Sequence, residues 1–258
     1  MVNYLLLLII GFFAQLFDGA VGMGYGSFSS SLLLAIGFYP IVVSASVHTA
    51  EIFTSFFSGV SHLGYGNVDG KLLLRLMIPG VIGGVAGVFS LTYINEMLGD
   101  TLRLGIASIL LFFGILITIR FVSNKKKTGK ISHPLGSIRT GILGFFSAYV
   151  DAIGGGGWGP MTTSSMIISG KIEPRKVVGT ISVVEFFVTL SITLTFFIYL
   201  GNKIFMSALI IPLIVGGIIA APVAAYLCKK LPTKTLGIII GIAIIASNIK
   251  TIIEFSIN

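Results

Sequence analysis

The stretch DAIGGGGWGP, Asp151 to Pro160, interrupts a chain that is otherwise rich in apolar residues. The 258 residues are 55% hydrophobic and only 10% charged, whereas soluble domains usually carry roughly a quarter charged residues. This composition is typical of an integral membrane protein. Consecutive glycines followed by a proline are poor residues with which to continue a membrane helix. The stretch therefore predicts a break in one.

Several stretches are long and apolar enough to cross a bilayer, which needs about 20 such residues. These predicted spans are Ile41–Leu63, Leu72–Ser90, Leu102–Val122, Val177–Leu200, Ile204–Leu227 and Thr235–Phe255. Shorter apolar segments flank two glycine clusters, namely Tyr4–Phe17, Ser27–Phe38, Gly136–Val150 and Met161–Ser169. The N-terminus lacks a basic leader region and resembles a first membrane segment rather than a cleaved signal peptide. We therefore expect an all-α, polytopic membrane protein.

The glycine stretch has a counterpart in the first half of the chain. FDGAVGMGYGSFSSS (Phe17–Ser31) aligns without gaps with VDAIGGGGWGPMTTS (Val150–Ser164). The alignment preserves acids, glycines and hydroxyl residues, which chance similarity between apolar helices would not preserve. Further matched residues are Pro40 with Pro174, Glu51 with Glu185, and Pro79–Gly84 with Pro212–Gly217. The sequence predicts two repeats, residues 1–122 and 136–258, each with a glycine-broken pair of short helices followed by three spans.

Basic residues predict how the two repeats are oriented. The connector, residues 123–135, contains SNKKKTGKISHP and is the one long polar stretch. If it is cytoplasmic, every basic residue falls on its side except Arg103, Lys203 and Lys250, as the positive-inside rule expects. The repeats then start on opposite faces, which is the inverted-repeat plan of many secondary transporters. The formal charge of +8 is thus an orientation signal and not a nucleic-acid surface. The single cysteine, Cys228, excludes an internal disulfide.

The residues after each break favour a new helix start. Ser27 and Pro160 stand where these helices are expected to begin, because Ser and Pro are favoured there. A helix start offers free N–H groups and a partial positive charge, which bind anions. The alternative is that the glycines only allow close helix packing. Packing accounts well for the glycines within the predicted spans, namely Gly83, Gly84, Gly87, Gly216 and Gly217.

The motifs resemble those of the sulfite exporter TauE/SafE family. The resemblance is carried by GGGGWGP at Gly154–Pro160, by GMGYGS at Gly22–Ser27 and by the basic connector, and it extends over both halves. It implies a secondary transporter for small sulfur-containing anions such as sulfite, sulfonates or sulfoacetate. The first half departs from the pattern, with Met23, Tyr25 and Ser27 where the second has Gly156, Trp158 and Pro160.

Four of the nine acidic residues fall within apolar segments: Asp18, Glu51, Asp151 and Glu185. Ionisable groups at membrane depth are costly and are therefore functional candidates. For Glu51 and Glu185 we weigh a proton-carrying or gating role equally against a structural one. Asp18 and Asp151 stand just before the breaks and are expected mainly to stabilise the loops by accepting hydrogen bonds from free amides.

A further set of residues is expected to bind the anion. It comprises Gly24, Tyr25, Gly26, Ser27, Ser29, Ser30 and His48 from the first half, and Gly156, Gly157, Trp158, Gly159, Thr162 and Thr163 from the second. His48 lies on one helical stripe with Glu51 and could bind substrate, relay a proton or be structural. Tyr25 and Trp158 either line the site or belong to packing.

The leading hypothesis is an alternating-access carrier in the plasma membrane, most simply an exporter, with a proton as the candidate coupling ion. A passive anion channel is the alternative. An intramembrane serine hydrolase, with Ser27 as nucleophile and His48 as base, is a distant third. The expected partners are a small anion and the lipid bilayer, and a homodimer is compatible with the sequence. No cofactor, metal ion or nucleic acid is expected.

Overall fold

The computed structural model describes residues 3–98, 101–123, 136–169, 172–227 and 233–257. Within these ranges the chain forms ten α-helices, a short 3-10 turn at Asn202–Ile204 and no strand. The helices are α1 Tyr4–Val21, α2 Tyr25–Ile36, α3 Pro40–Gly64, α4 Gly70–Leu98, α5 Thr101–Val122, α6 Ser137–Gly154, α7 Trp158–Ser169, α8 Pro174–Leu200, α9 Ser207–Leu227 and α10 Thr233–Ile257. The predicted all-α class is confirmed.

Seven of the described helices, α1, α3, α4, α5, α8, α9 and α10, are long and apolar enough to cross a membrane. Large apolar side chains also cover the outside of the bundle. Ile198, for example, is 81% exposed and Leu5 is 66% exposed. Such a surface suits acyl chains better than water, so the protein is a polytopic membrane protein.

Both glycine clusters interrupt the helical chain, as the sequence predicts. The first break is Gly22–Gly24 and the second is Gly155–Gly157. Each break begins with a glycine in the left-handed region, Gly22 at φ 75° and Gly155 at φ 66°. Their N–H groups donate to the carbonyls of Asp18 and Asp151, at 2.5 and 2.6 Å respectively. The two breaks therefore share one local geometry.

The predicted helix bounds around the breaks were wrong by several residues. Helices α2 and α7 begin at Tyr25 and Trp158, two residues before the expected starts at Ser27 and Pro160. Helices α1 and α6 continue past the acidic residue, which lies in the last turn. Each has 18 residues, or about 27 Å at about 1.5 Å per residue. They are therefore nearly as long as a bilayer core is thick, about 30 Å.

Helix α4 is also longer than the predicted span Leu72–Ser90, because it runs from Gly70 to Leu98. The lysines of the connector, Lys125, Lys126, Lys127 and Lys130, lie outside the described residues. Lys171, Cys228, Lys229 and Lys230 also lie outside them.

The helices of the two halves pack in matching pairs. Helix α1 packs along α9 as α6 packs along α4, while α3 packs on α8 and α5 on α10. Glycines allow these close contacts. A Cβ atom on Gly83 would overlap the backbone oxygen of Phe145, and one on Gly216 would overlap that of Leu8. The packing role predicted for these glycines is confirmed.

Candidate functional site

The two breaks contact each other through hydroxyl groups of the short helices. Ser27 Oγ donates to the carbonyl of Gly156 at 2.5 Å, and Ser30 Oγ donates to that of Gly155 at 2.9 Å. In the opposite direction, Thr163 Oγ1 donates to the carbonyl of Gly22. Carbonyls that no helix hydrogen bond satisfies are thus bound by the other half of the chain. Unpaired carbonyls at membrane depth would cost several kcal/mol each.

The glycines let the two halves approach backbone to backbone. A Cβ atom on Gly156 would lie 2.5 Å from the Ser27 Cα, and one on Gly159 would lie 2.5 Å from the Met23 Cα. A Cβ atom on Gly26 would overlap the carbonyl oxygen of Gly155. These contacts leave no room for even a methyl group. In this conformation an anion cannot lie directly between the two backbones.

The breaks touch each other, and each also packs against a long helix of the other half. Gly22 packs against Val178, the fifth residue of α8, whereas Gly155 packs near Ser44, the fifth residue of α3. Ser44 Oγ also donates to the carbonyl of Ala152 at 2.7 Å. Each break is therefore fixed near the start of the long helix that follows the other break.

Asp151 is hydrogen-bonded to the backbone at the start of α7. Its Oδ1 accepts from the N–H groups of Gly157 at 2.7 Å and Trp158 at 3.1 Å. In the first half, the backbone N–H of Tyr25 interacts in the same way with the Asp18 carboxyl. The Asp151 contacts are the geometry that a loop-stabilising acid requires, because the carboxylate accepts from the first amides of the helix after its break.

His48 joins Asp151 to α3. Its Nδ1 lies 2.7 Å from the carbonyl of Ser44, so Nδ1 carries a proton and donates it. The other ring nitrogen, Nε2, lies 3.2 Å from Asp151 Oδ2. A neutral imidazole has one N–H, already used at Nδ1. The contact with Asp151 is thus attractive only when a second proton is shared between the two groups.

Glu51 and Glu185 bring two further acids to the same region. They are 2% and 6% exposed. Glu51 Oε2 is buried without a hydrogen-bond partner. Both carboxylates lie close enough to Asp18 and Asp151 to be repelled by them. Four helices, α1, α3, α6 and α8, thus each contribute one acid around the breaks.

One subset of these groups could also share a metal ion. His48, Glu51 and Asp151 place ligand atoms within 4.8 Å of one another, and all three are buried. The sequence predicts no metal site here.

The predicted aromatic residues belong to the packing around the breaks. Tyr25 OH donates to the carbonyl of Leu213 in α9 at 3.3 Å. The Trp158 ring lies against Gly80 in α4. Leu213 and Gly80 are equivalent positions in the alignment of the two halves, so the two aromatic residues occupy matching places.

The remaining predicted residues have simpler surroundings. Thr162 Oγ1 donates to the carbonyl of Trp158 in its own helix at 2.5 Å. Ser29 Oγ is buried and has no partner. Gly24, at φ 117°, precedes α2 and packs on the ring of Phe17. Of these, Ser29 is the hydroxyl without a hydrogen-bond partner among the described residues.

Ser27 and His48 do not form the nucleophile and base of a hydrolase. Ser27 Oγ donates to Gly156, while the two ring nitrogens of His48 face Ser44 and Asp151. A nucleophile and its base must share a hydrogen bond. The serine-hydrolase interpretation is therefore wrong.

Sequence reasoning missed Arg120, which it counted only as an orientation signal. Arg120 Nη1 donates to Ser164 Oγ in α7 at 2.8 Å and lies 3.6 Å from Met23 Sδ in the first break. In the sequence, Arg120 is recognisable only as a basic residue near the end of a predicted span. Nothing in that position indicates that its side chain contacts α7.

Comparisons with known proteins agree with this architecture. The chain matches the family described as sulfite exporter TauE/SafE over residues 7–251. It is 41% identical over 246 residues to the probable membrane transporter protein YtnM of Bacillus subtilis (strain 168), covering 95% of this chain and 81% of that protein. No solved structure matches it significantly. The fold and these matches define a polytopic membrane transporter rather than an enzyme. The chain belongs to the sulfite exporter TauE/SafE family.

Proposed function

We propose that the protein is a secondary active transporter that exports small sulfur-containing anions, of the sulfite, sulfonate or sulfoacetate type, across the plasma membrane. The observation that carries this proposal is the mutual contact of the two breaks, in which hydroxyls of α2 and α7 bind carbonyls of the opposite break. In an inverted-repeat transporter, the substrate site lies at such a junction of broken helices.

The chemistry of the helix starts favours an anion. The first amides of α7 already donate to Asp151, so the side-chain hydroxyls near the two helix starts are the donors that remain. Such hydroxyls are neutral and can hold an oxyanion and still release it. Ser29, with its unpartnered hydroxyl, is one such donor.

Alternating access would require the hydrogen bonds between the two breaks to open and re-form. The halves, residues 1–122 and 136–258, meet at the breaks through single hydroxyl-to-carbonyl hydrogen bonds, each worth about 1 kcal/mol net. Rocking one half against the other would open these contacts on one face and admit the anion. The matching helix pairs, α1 on α9 and α6 on α4, support a two-fold relation between the halves.

A transport assay separates this function from a channel. Purified protein in liposomes should take up labelled sulfite or sulfoacetate in a saturable manner and show counterflow. Large single-channel currents with no saturation would favour the channel. The complete absence of transport for sulfite, sulfonates and sulfoacetate would contradict the proposed function.

Buried acids next to an anion route call for proton coupling. Glu51 and Glu185, if charged, would repel the anion, so a proton on either one favours its binding. Glu51→Gln and Glu185→Gln should each keep transport but lose part of its stimulation by a pH gradient. Glu173→Gln is a matched control, because Glu173 is 49% exposed and pairs with Arg175 at the start of α8. If both buried variants keep the full pH dependence, the coupling group lies elsewhere.

A further inference from the structure

Arg120 brings a positive charge next to the first break. It lies in the last turn of α5 and is half-buried. Its guanidinium contacts Ser164 Oγ and Met23 Sδ, both neutral. The ion pairs found among the described residues do not include Arg120. A partly desolvated guanidinium without a carboxylate partner is costly unless another anion is bound to it.

The other half of the molecule has a related contact with a neutral side chain. Asn248 Nδ2 in α10 donates to Ser31 Oγ in α2 at 2.7 Å. Asn248 is fully buried, and its Oδ1 has no partner. Ser31 and Ser164 are equivalent positions in the alignment of the two halves. Each short helix therefore places the equivalent serine against the last helix of the opposite half. The group that donates to Ser31 is the amide of Asn248, and the group that donates to Ser164 is the guanidinium of Arg120.

We infer that Arg120, together with Ser164, binds the transported oxyanion beside the first break, at the end of α5. This inference rests on the proposed function and adds a charged residue to it. A guanidinium offers a planar fork of N–H donors, which matches two oxygens of a sulfite or sulfonate group. The amide of Asn248 takes the corresponding place on the opposite side. The anion is therefore held more tightly beside Arg120 than beside Asn248.

A purely structural role for Arg120 would have a different geometry. A basic residue in the last turn of a helix usually stabilises the free carbonyls of its own helix end. The hydrogen bonds of Arg120 lead instead to α7 and to the first break. By contrast, Arg103 in the same helix donates to the carbonyl of Leu34 at the end of α2, which is a capping contact.

The test compares Arg120→Gln, Arg120→Lys and Arg75→Gln in liposomes with sulfite and sulfoacetate. Loss of a charge-assisted pair predicts a KM at least about tenfold higher in Arg120→Gln, with little change in maximal rate. Arg120→Lys should recover part of the affinity, because it keeps the charge but loses the fork. Arg75→Gln removes an equal charge from an exposed position in α4 and should leave KM unchanged.

Thermal unfolding with added sulfite provides a second measurement, because a ligand stabilises the state that binds it. Sulfite should raise the midpoint of the wild type and of Arg75→Gln but not that of Arg120→Gln. If sulfite stabilises and is carried by Arg120→Gln as well as by the wild type, the Arg120 inference is wrong and the proposed function stands. If the wild type neither binds nor carries any of the anions, both are wrong.

Discussion

At the scale of single residues, Asp151 combines two tasks that the sequence could not separate. One carboxylate oxygen holds the amides of Gly157 and Trp158, and the other faces His48. Both oxygens of this buried acid are therefore used within the protein, one as an acceptor for backbone amides and one in the contact with His48.

Substitutions of Asp151 can separate these two tasks. Asp151→Asn keeps an oxygen acceptor for the amides, and its NH₂ group can donate to Nε2 of neutral His48. Asp151→Ala removes both interactions and should lower stability by about 1 kcal/mol or more, as loss of a helix cap does. Thermal unfolding in detergent should therefore rank the wild type and Asp151→Asn together above Asp151→Ala. Equal loss in both variants would show that the charge, and not the acceptor, stabilises the break.

At the scale of elements, each break is short, with only three non-helical residues, Gly22–Gly24 in the first and Gly155–Gly157 in the second. Gly22 and Gly155 end the helix before each break in the left-handed region, which glycine adopts at little cost. Gly26, Gly156 and Gly159 serve the contact between the halves instead. Gly156, in particular, lies against the backbone of Ser27.

The crowding around Gly156 and the open space around Gly154 predict different effects of alanine at these two positions. Gly156→Ala would place a methyl group 2.5 Å from the Ser27 Cα and should abolish transport while membrane insertion is retained. Gly154→Ala is the matched control, because its Cβ would meet only Ile106, at 4.0 Å. Alanine is also favoured over glycine within a helix by about 1 kcal/mol. Liposome transport and membrane-fraction yield measure both effects. Normal transport by Gly156→Ala would contradict the contact between the breaks.

Two further glycines of the motif also have no room for a side chain, Gly157 within its own half and Gly159 at the contact between the halves. A Cβ atom on Gly157 would lie 2.7 Å from the Asp151 amide nitrogen, and one on Gly159 would reach Met23. Alanine at either position should therefore also abolish transport without preventing insertion.

At the scale of the whole molecule, the matching helix pairs fit two halves of opposite orientation. The loops after α3 and α8 are equivalent in the two halves and should lie on opposite faces of the membrane. The positive-inside rule places the loop after α3 in the cytoplasm, because Lys71 and Arg75 follow it.

Cysteine labelling tests this orientation. Gly64→Cys and Asn202→Cys, each exposed, are made separately in a Cys228→Ser chain. A membrane-impermeant maleimide should label Asn202→Cys in intact cells, and Gly64→Cys only after permeabilisation. Labelling of both from the same face would show that the halves are parallel and would contradict the inverted repeat.

The sequence by itself determined where the chain must be interrupted, and it predicts which residues of the two halves correspond. Glycine and proline act on the backbone locally, and apolar length reports directly on the lipid environment. The exact helix ends were predicted less well from the sequence, because the acid before each break lies within the last helical turn and not after it.

Only the tertiary structure decided which hydrogen-bond partner each polar residue has. The partners Ser27 with Gly156, His48 with Asp151, and Arg120 with Ser164 are separated by tens of residues or more. They meet because α3, α5, α6 and α8 pack around the breaks. Long-range packing of this kind depends on the whole set of helix contacts and leaves no local signal in the chain.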